Sequence, residues 1–126
     1  MDTDTLISQA DFLSLHFSLC KDTEKLLNKE RITRIKSGAI VVNTAPMELV
    51  DLDALEKRLA KGDITFILDH ADEMTRQDLR RLSTYKNCII YPPIAYISKE
   101  ASVTKQIIFV GNIENFLSGK PTNRVN

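Results

Sequence analysis

Neither sign of charge is in excess in this chain: Lys and Arg together number 17, and so do Asp and Glu. A balanced surface gives no basic face to read a phosphate backbone, which argues against a nucleic-acid partner. No apolar run approaches the roughly 20 residues needed to cross a bilayer, and no signal peptide is recognised. Only two cysteines are present, Cys20 and Cys88, far apart and without metal-ligand spacing. They are expected to be buried free thiols in a reducing cytoplasm, and no metal site is expected. Repeats and low-complexity segments are also missing. What remains is a 126-residue chain, long enough for one domain with a real core.

Four short apolar runs alternate with helical patterns. They are Asp11–Phe17, Ala39–Asn43, Ile64–Leu68 and Asn87–Tyr91, rich in β-branched and aromatic residues. The middle two are apolar almost throughout, which suits parallel strands covered on both faces. Helices are predicted between and after them. Asp22 to Lys36 carries Leu26, Leu27, Ile32 and Ile35, with Asp22-Thr23 as N-cap and Ser37-Gly38 as stop. Asp51 to Lys61 puts Leu52, Leu55 and Leu59 on one stripe, closed by Gly62. Thr75 to Ser83 is a shorter helix. Ser98 to Ser118 is the longest, and its wide apolar set is expected to dock along much of its length. The alternation predicts an α/β fold with a parallel sheet of about four strands and right-handed crossovers.

The segment Gly38-Ala-Ile-Val-Val-Asn-Thr-Ala-Pro-Met-Glu-Leu-Val-Asp51 resembles the strand-turn-helix signature of the D-2-hydroxyacid dehydrogenases, Asn-Thr-Ala-Arg-Gly-x-Leu-Val-Asp. Asn43, Thr44, Ala45, Leu49, Val50 and Asp51 match. Ala10 to His16 is similar to the family strand ending in His-x-Pro-Leu, with Ser18 at the proline. Leu52 to Ile64 follows the family helix and turn closely, and Ile113 to Asn126 resembles its C-terminal tail. The order and spacing of these pieces extend over nearly the whole chain. The resemblance implies the second half of an NAD-binding Rossmann domain: one domain over 1–126, with a half-Rossmann core at about 8–97 and a C-terminal helix and tail at about 98–126. The opening Met1-Asp-Thr-Asp-Thr is expected to mark an engineered start or an unusually short open reading frame.

The resemblance also locates what the family uses and this chain lacks. The family arginine that clamps the substrate carboxylate falls on Pro46, the glutamate on Met74 and the general-base histidine on Pro93. A proline ring exchanges no proton and offers no cationic fork. The glycine-rich G-x-G-x-x-G loop that cradles a pyrophosphate is formed by none of Gly38, Gly62, Gly111 and Gly119. The catalytic set is therefore expected to be absent, and no cofactor is expected for this chain although the family binds NAD. By resemblance, His16, Thr44, Ala45 and Asp69 lie along the nicotinamide side of the cofactor. The plainer readings are a half-buried strand histidine, ordinary turn geometry for Thr44 and Ala45, and a turn aspartate that caps the next segment.

His70 has no family counterpart. With Asp72 and Glu73 it forms either a replacement acid–base cluster or an ordinary polar loop. Tyr91 and Tyr96 flank the stiff Pro92-Pro93 turn, as a general acid or as packing residues with wet hydroxyls. Three functions stay open: a non-catalytic half-domain serving as a structural or assembly unit, an enzyme or ligand-binding site rebuilt around His70, Asp72, Glu73 and Tyr91, and a protein-interaction module. Half of a doubly wound domain leaves one sheet face and one sheet edge uncovered, so a homodimer or higher oligomer is expected.

Overall fold

The computed structural model describes residues 2–95 and 97–125; Tyr96 lies outside them. The chain separates into two compact units, Met1–Pro93 and Ile94–Asn126.

The first unit is a parallel four-stranded sheet in sequence order: β1 (Phe12–Leu15), β2 (Ile40–Asn43), β3 (Thr65–Leu68) and β4 (Cys88–Ile90). Each predicted run is found, one to three residues shorter than expected. Four helices accompany the strands: α1 (Thr3–Gln9), α2 (Lys29–Arg34), α3 (Leu52–Leu59) and α4 (Arg76–Ser83). Successive helices touch in chain order, and α4 touches β4. Their inward residues Ile7, Ile32, Leu55 and Leu82 share one core with Leu13, Val41, Phe66 and Cys88 of the strands. Fully burying a side chain such as Leu55 or Phe66 contributes roughly 1.5–3 kcal/mol each, which makes this layer the main source of cohesion.

The strands are covered on one face only, as expected of half a doubly wound domain, and not on the two faces that their apolar composition suits. Leu13, Val41, Phe66 and Leu68 are buried. Their neighbours on the other face, Ile40, Val42, Thr65 and Ile67, are half-buried, and Phe12 is 77% exposed. Side chains alternate across a strand, so a single helical layer satisfies every second residue.

The predicted helix over Asp22–Lys36 is much shorter. Asp22 starts no helix; α2 is capped by Asn28, whose side chain accepts from the Arg31 N–H. Upstream, Leu27 donates to the Leu49 carbonyl and accepts from the Asp51 N–H, a strand-like link to the turn after β2. These bonds to a distant segment outcompete the local helix. Thr23 closes the remaining turn, donating its hydroxyl to the Ser18 carbonyl and accepting from the Cys20 N–H. Cys20 sits in that turn and is exposed, contrary to expectation, while Cys88 is buried.

The other caps follow the sequence. Asp51, Thr75 and Ser98 each accept from a backbone N–H three residues on. Gly62 ends the α3 segment at φ +73°, a backbone strained for any residue with a Cβ. Arg58 of α3 is buried and donates to the Thr33 and Ile35 carbonyls at 3.3 and 2.7 Å, and it pairs with Asp63 at 3.1 Å. It thus satisfies free carbonyls at the end of α2 and ties two helices together. The first helix, α1, was not foreseen; Asp2 caps it through the Thr5 N–H.

The second unit is dominated by α5 (Lys99–Leu117). No residue of this helix is buried. The apolar set predicted to dock is exposed instead, Ile107 by 67%, Phe116 by 72% and Leu117 by 78%. No helix of the described residues is long and apolar enough to cross a membrane.

Candidate functional site

In an open parallel sheet, ligands bind beyond the carboxyl ends of the strands. Most of the candidate residues stand there. His16 follows β1, Thr44 and Ala45 follow β2, Asp69 and His70 follow β3, and Tyr91 follows β4. The fold therefore lines the predicted residues along one rim.

Two of them are joined directly. His16 Nδ1 is 3.0 Å from Thr44 Oγ1, and the Thr44 hydroxyl also reaches the Leu15 carbonyl at 3.3 Å. Both side chains are exposed. His16 Nε2 meets Ser14 Oγ at 2.7 Å. Ser14 was not among the sequence candidates, although its i, i+2 spacing from His16 on a strand puts both on one face.

Ala45 is buried, so it turns no side-chain surface outward. Its N–H donates to Asn43 Oδ1 at 3.1 Å, and the fully buried Asn43 donates from Nδ2 to Met47 Sδ at 3.2 Å. Asn43 thus holds the turn that carries Thr44 to Met47. Pro46 is half-buried within it, with its carbonyl accepting from the Leu49 N–H. Met47, at the family's glycine position, fills core space.

Asp69 Oδ1 is buried without a hydrogen-bond partner among the described residues. His70 Nε2 lies 3.9 Å away, beyond hydrogen-bond reach, while His70 Nδ1 is 3.3 Å from Glu73 Oε2. Two members of the proposed His70, Asp72 and Glu73 cluster are therefore brought together. Asp72 is exposed, and no bond joins it to His70 among the described residues. Met74 is partly buried against the core. Tyr91 is exposed, and Pro93 is half-buried two residues on.

A cleft of about 420 Å³ opens beside these turns, on the α3–α4 side. Met47 and Met74 line it, but none of His16, Thr44, Ala45 or Asp69 does. Carboxylates dominate its wall, including Glu24, Glu48, Asp51 and Asp53, against Lys25 and Arg81. Arg81 is already engaged by Asp53, Glu56 and Asp78. The Arg81 guanidinium holds the Asp53 carboxyl below the usual range. A wall of this sign repels a pyrophosphate.

The residues present fit one end of a dinucleotide and not the other. The unpaired Asp69 oxygen is a ready acceptor for a carboxamide N–H. A pyrophosphate needs a glycine-lined backbone cradle, and no glycine among the four has another segment within 4 Å of the position its Cβ would take.

Residues 1–95 match the model of the D-isomer-specific 2-hydroxyacid dehydrogenase NAD-binding domain. A hydroxypyruvate reductase of Blautia hydrogenotrophica is 35% identical over 127 aligned positions, spanning all of this chain and 39% of that protein. A glycerate dehydrogenase of Methylorubrum extorquens is 34% identical, across 99% of this chain and 41% of that protein. The NAD+-bound D-lactate dehydrogenase of Lactobacillus jensenii superposes with a TM-score of 0.85 at 29% identity, covering the whole chain and 42% of that structure. The chain thus spans about two-fifths of the length of the relatives it matches. On its strand order, its matched residues and these likenesses, the chain belongs to the D-isomer-specific 2-hydroxyacid dehydrogenase family, by way of that family's NAD-binding domain.

Proposed function

We propose that this chain is a non-catalytic half of a dehydrogenase NAD-binding domain, acting as a structural or assembly unit in the cytoplasm and self-associating as a homodimer. The observation that carries this reading is the set of residues at the three family catalytic positions. Pro46 and Pro93 have no side-chain proton or charge to offer, and Met74 packs toward the core. His16, Thr44 and Ala45 are the residues left to face a nicotinamide ribose, and Asp69 is left to face the carboxamide. Without a pyrophosphate cradle, they hold NAD(H) with a Kd above about 1 mM. The self-association rests on the bare sheet face around Phe12 and the exposed apolar side chains of α5.

Calorimetric titration of the chain with NADH tests the reading, paired with a turnover assay on small 2-keto acids. The expected result is no saturation below millimolar cofactor and no turnover above a heat-killed control. Micromolar binding or clear turnover overturns it. The His70–Glu73 pair beside the unpaired Asp69 favours a second reading, a rebuilt acid–base site. Turnover that survives in the wild type and vanishes in His70→Ala would select it.

A further inference from the structure

Charge is segregated on the helical side of the first unit. The cleft beside α3 and α4 is walled mainly by carboxylates. Two of them, Glu24 and Glu48, are exposed and have no cation within ion-pair distance among the described residues. The backbone fixes them on one rim. Lys25, next to Glu24, donates its N–H to the Glu48 carbonyl at 2.9 Å and does so at φ +50°, a conformation uncommon for a residue with a Cβ.

The outer side of α4 has the opposite sign. Arg76 and Arg80 are exposed, and among the described residues neither has a carboxylate within ion-pair distance. At about 100° per residue they share one stripe, turned away from Arg81, which reaches Asp53 and Glu56 of α3. Like charges at i, i+4 destabilise a helix, and no described residue offsets this pair. The exposed, uncharged Gln77 and Thr84 form the ridge between the arginines and the cleft. A surface with both signs on the two sides of one ridge is self-complementary. A two-fold axis along the ridge lays the arginines of each copy over the carboxylates of the other, as an isologous contact requires. The chain has no net charge, so no overall repulsion keeps copies apart.

We propose that the α4 ridge is a contact surface for a second copy of this chain, with Arg76 and Arg80 of one copy entering the cleft that carries Glu24 and Glu48 of the other. The cleft of about 420 Å³ has room for the arginine stems. Met74 and Leu52 line it half-buried, and a thioether packs adaptably against methylene groups. Each guanidinium places two parallel N–H donors on a carboxylate, which fixes register as well as adding attraction. The contact uses neither the β1 edge nor His16, Thr44 or Asp69. It rests on the self-association reading and adds to it a polar surface, separate from α5 and the bare sheet face.

The test is sedimentation of the full chain over a concentration series, at low salt and at about 1 M salt. The expected result is self-association that high salt weakens. Arg76→Glu with Arg80→Glu should raise its Kd about 10-fold or more, and so should Glu24→Arg with Glu48→Arg. Mixing the two variants in equal amounts should restore association, because each carries the sign the other lacks. In Arg80→Lys, a carbodiimide should link position 80 of an isotope-labelled copy to Glu24 or Glu48 of an unlabelled one. All four side chains are exposed, and circular dichroism checks that each variant is folded. Wild-type association that ignores salt and both reversals, or variants that stay apart when mixed, overturns this contact and leaves self-association through α5 and the sheet face standing. A wild-type monomer at every concentration overturns both readings, and if that monomer binds a nona-arginine peptide, the cleft belongs to a basic partner instead.

Discussion

The two units place their apolar side chains in opposite surroundings. In the first, Leu27, Leu55 and Phe66 have no exposed surface. In the second, four consecutive apolar residues, Ile107 to Val110, stand in solvent on one helix. Four successive residues sweep about 300° around a helix, so they cannot all face one flat neighbour. A helix apolar on all sides belongs inside a larger assembly, whereas the amphipathic α3, with Ala54, Leu55 and Leu59 inward, needs only one neighbouring layer. The difference separates a region ordered by packing from one ordered by its own backbone hydrogen bonds.

Truncating one buried and one exposed aromatic gives the largest contrast. Phe66→Ala is expected to cost about 3–5 kcal/mol of unfolding free energy, because it empties the centre of the sheet. Phe109→Ala is expected to change it by less than about 0.5 kcal/mol. Urea unfolding followed by tyrosine fluorescence measures both. The same exposed helix is the lever on assembly: Ile107→Lys with Phe109→Lys should shift light scattering toward the monomer and leave the urea midpoint in place. Equal costs for the two truncations would show that α5 is as firmly packed as the sheet.

A smaller effect comes from the caps. Asp51 and Ser98 make the same bond, to Ala54 N–H and Ala101 N–H. Asp51→Ala should lower the cooperative stability of the first unit by about 1 kcal/mol. Ser98→Ala should reduce helical ellipticity without moving that transition. A shift of the transition by Ser98→Ala would mean the two units unfold as one.

The strands were legible because their apolar β-branched runs are short and well bounded, and so were the helices that begin at Asp51, Thr75 and Ser98, because those caps act locally. The Asp22 helix was misread for the converse reason. Leu27 bonds to Leu49 and Asp51, more than twenty residues away, and no local propensity encodes that. The half-covered sheet was legible from the half-domain resemblance and not from composition, because Ile40, Val42 and Ile67 are as apolar as the buried residues beside them. Of the site, the rim was legible from resemblance: His16, Thr44 and Asp69 all stand at strand ends. Ser14 was hidden because a serine in a strand has no signature until a partner is placed beside it. The buried position of Ala45 and the separation of Asp72 from His70 depend on turn geometry that spacing does not specify.

The smallest effect separates the regions by pH. Arg81 of α4 donates to Asp53 of α3 at 2.7 Å and also engages Glu56. The bond from Arg81, with the positive charge behind it, holds the folded Asp53 carboxyl below its ordinary value, and the bonds to Glu56 first and Asp53 second hold the Arg81 guanidinium above its own. A depressed folded pKa means that the unfolded chain binds the proton more readily. The stabilisation is therefore complete above the unfolded carboxyl pKa of about 3.9 and is lost as pH falls through the folded value. Asp53 is exposed, so solvent screens the pair and the effect is slight. Asp53→Asn should melt slightly below wild type at pH 7, and the gap should close between about pH 5 and pH 2, where the wild-type carboxyl takes up its proton. High salt should narrow the gap at pH 7. The pair joins two helices of the packed unit, so the change belongs to the cooperative transition and leaves the ellipticity of α5 unchanged. Wild-type and variant melting curves that stay parallel down to pH 2 would show that the Asp53 carboxylate adds nothing to the packing of α3 on α4.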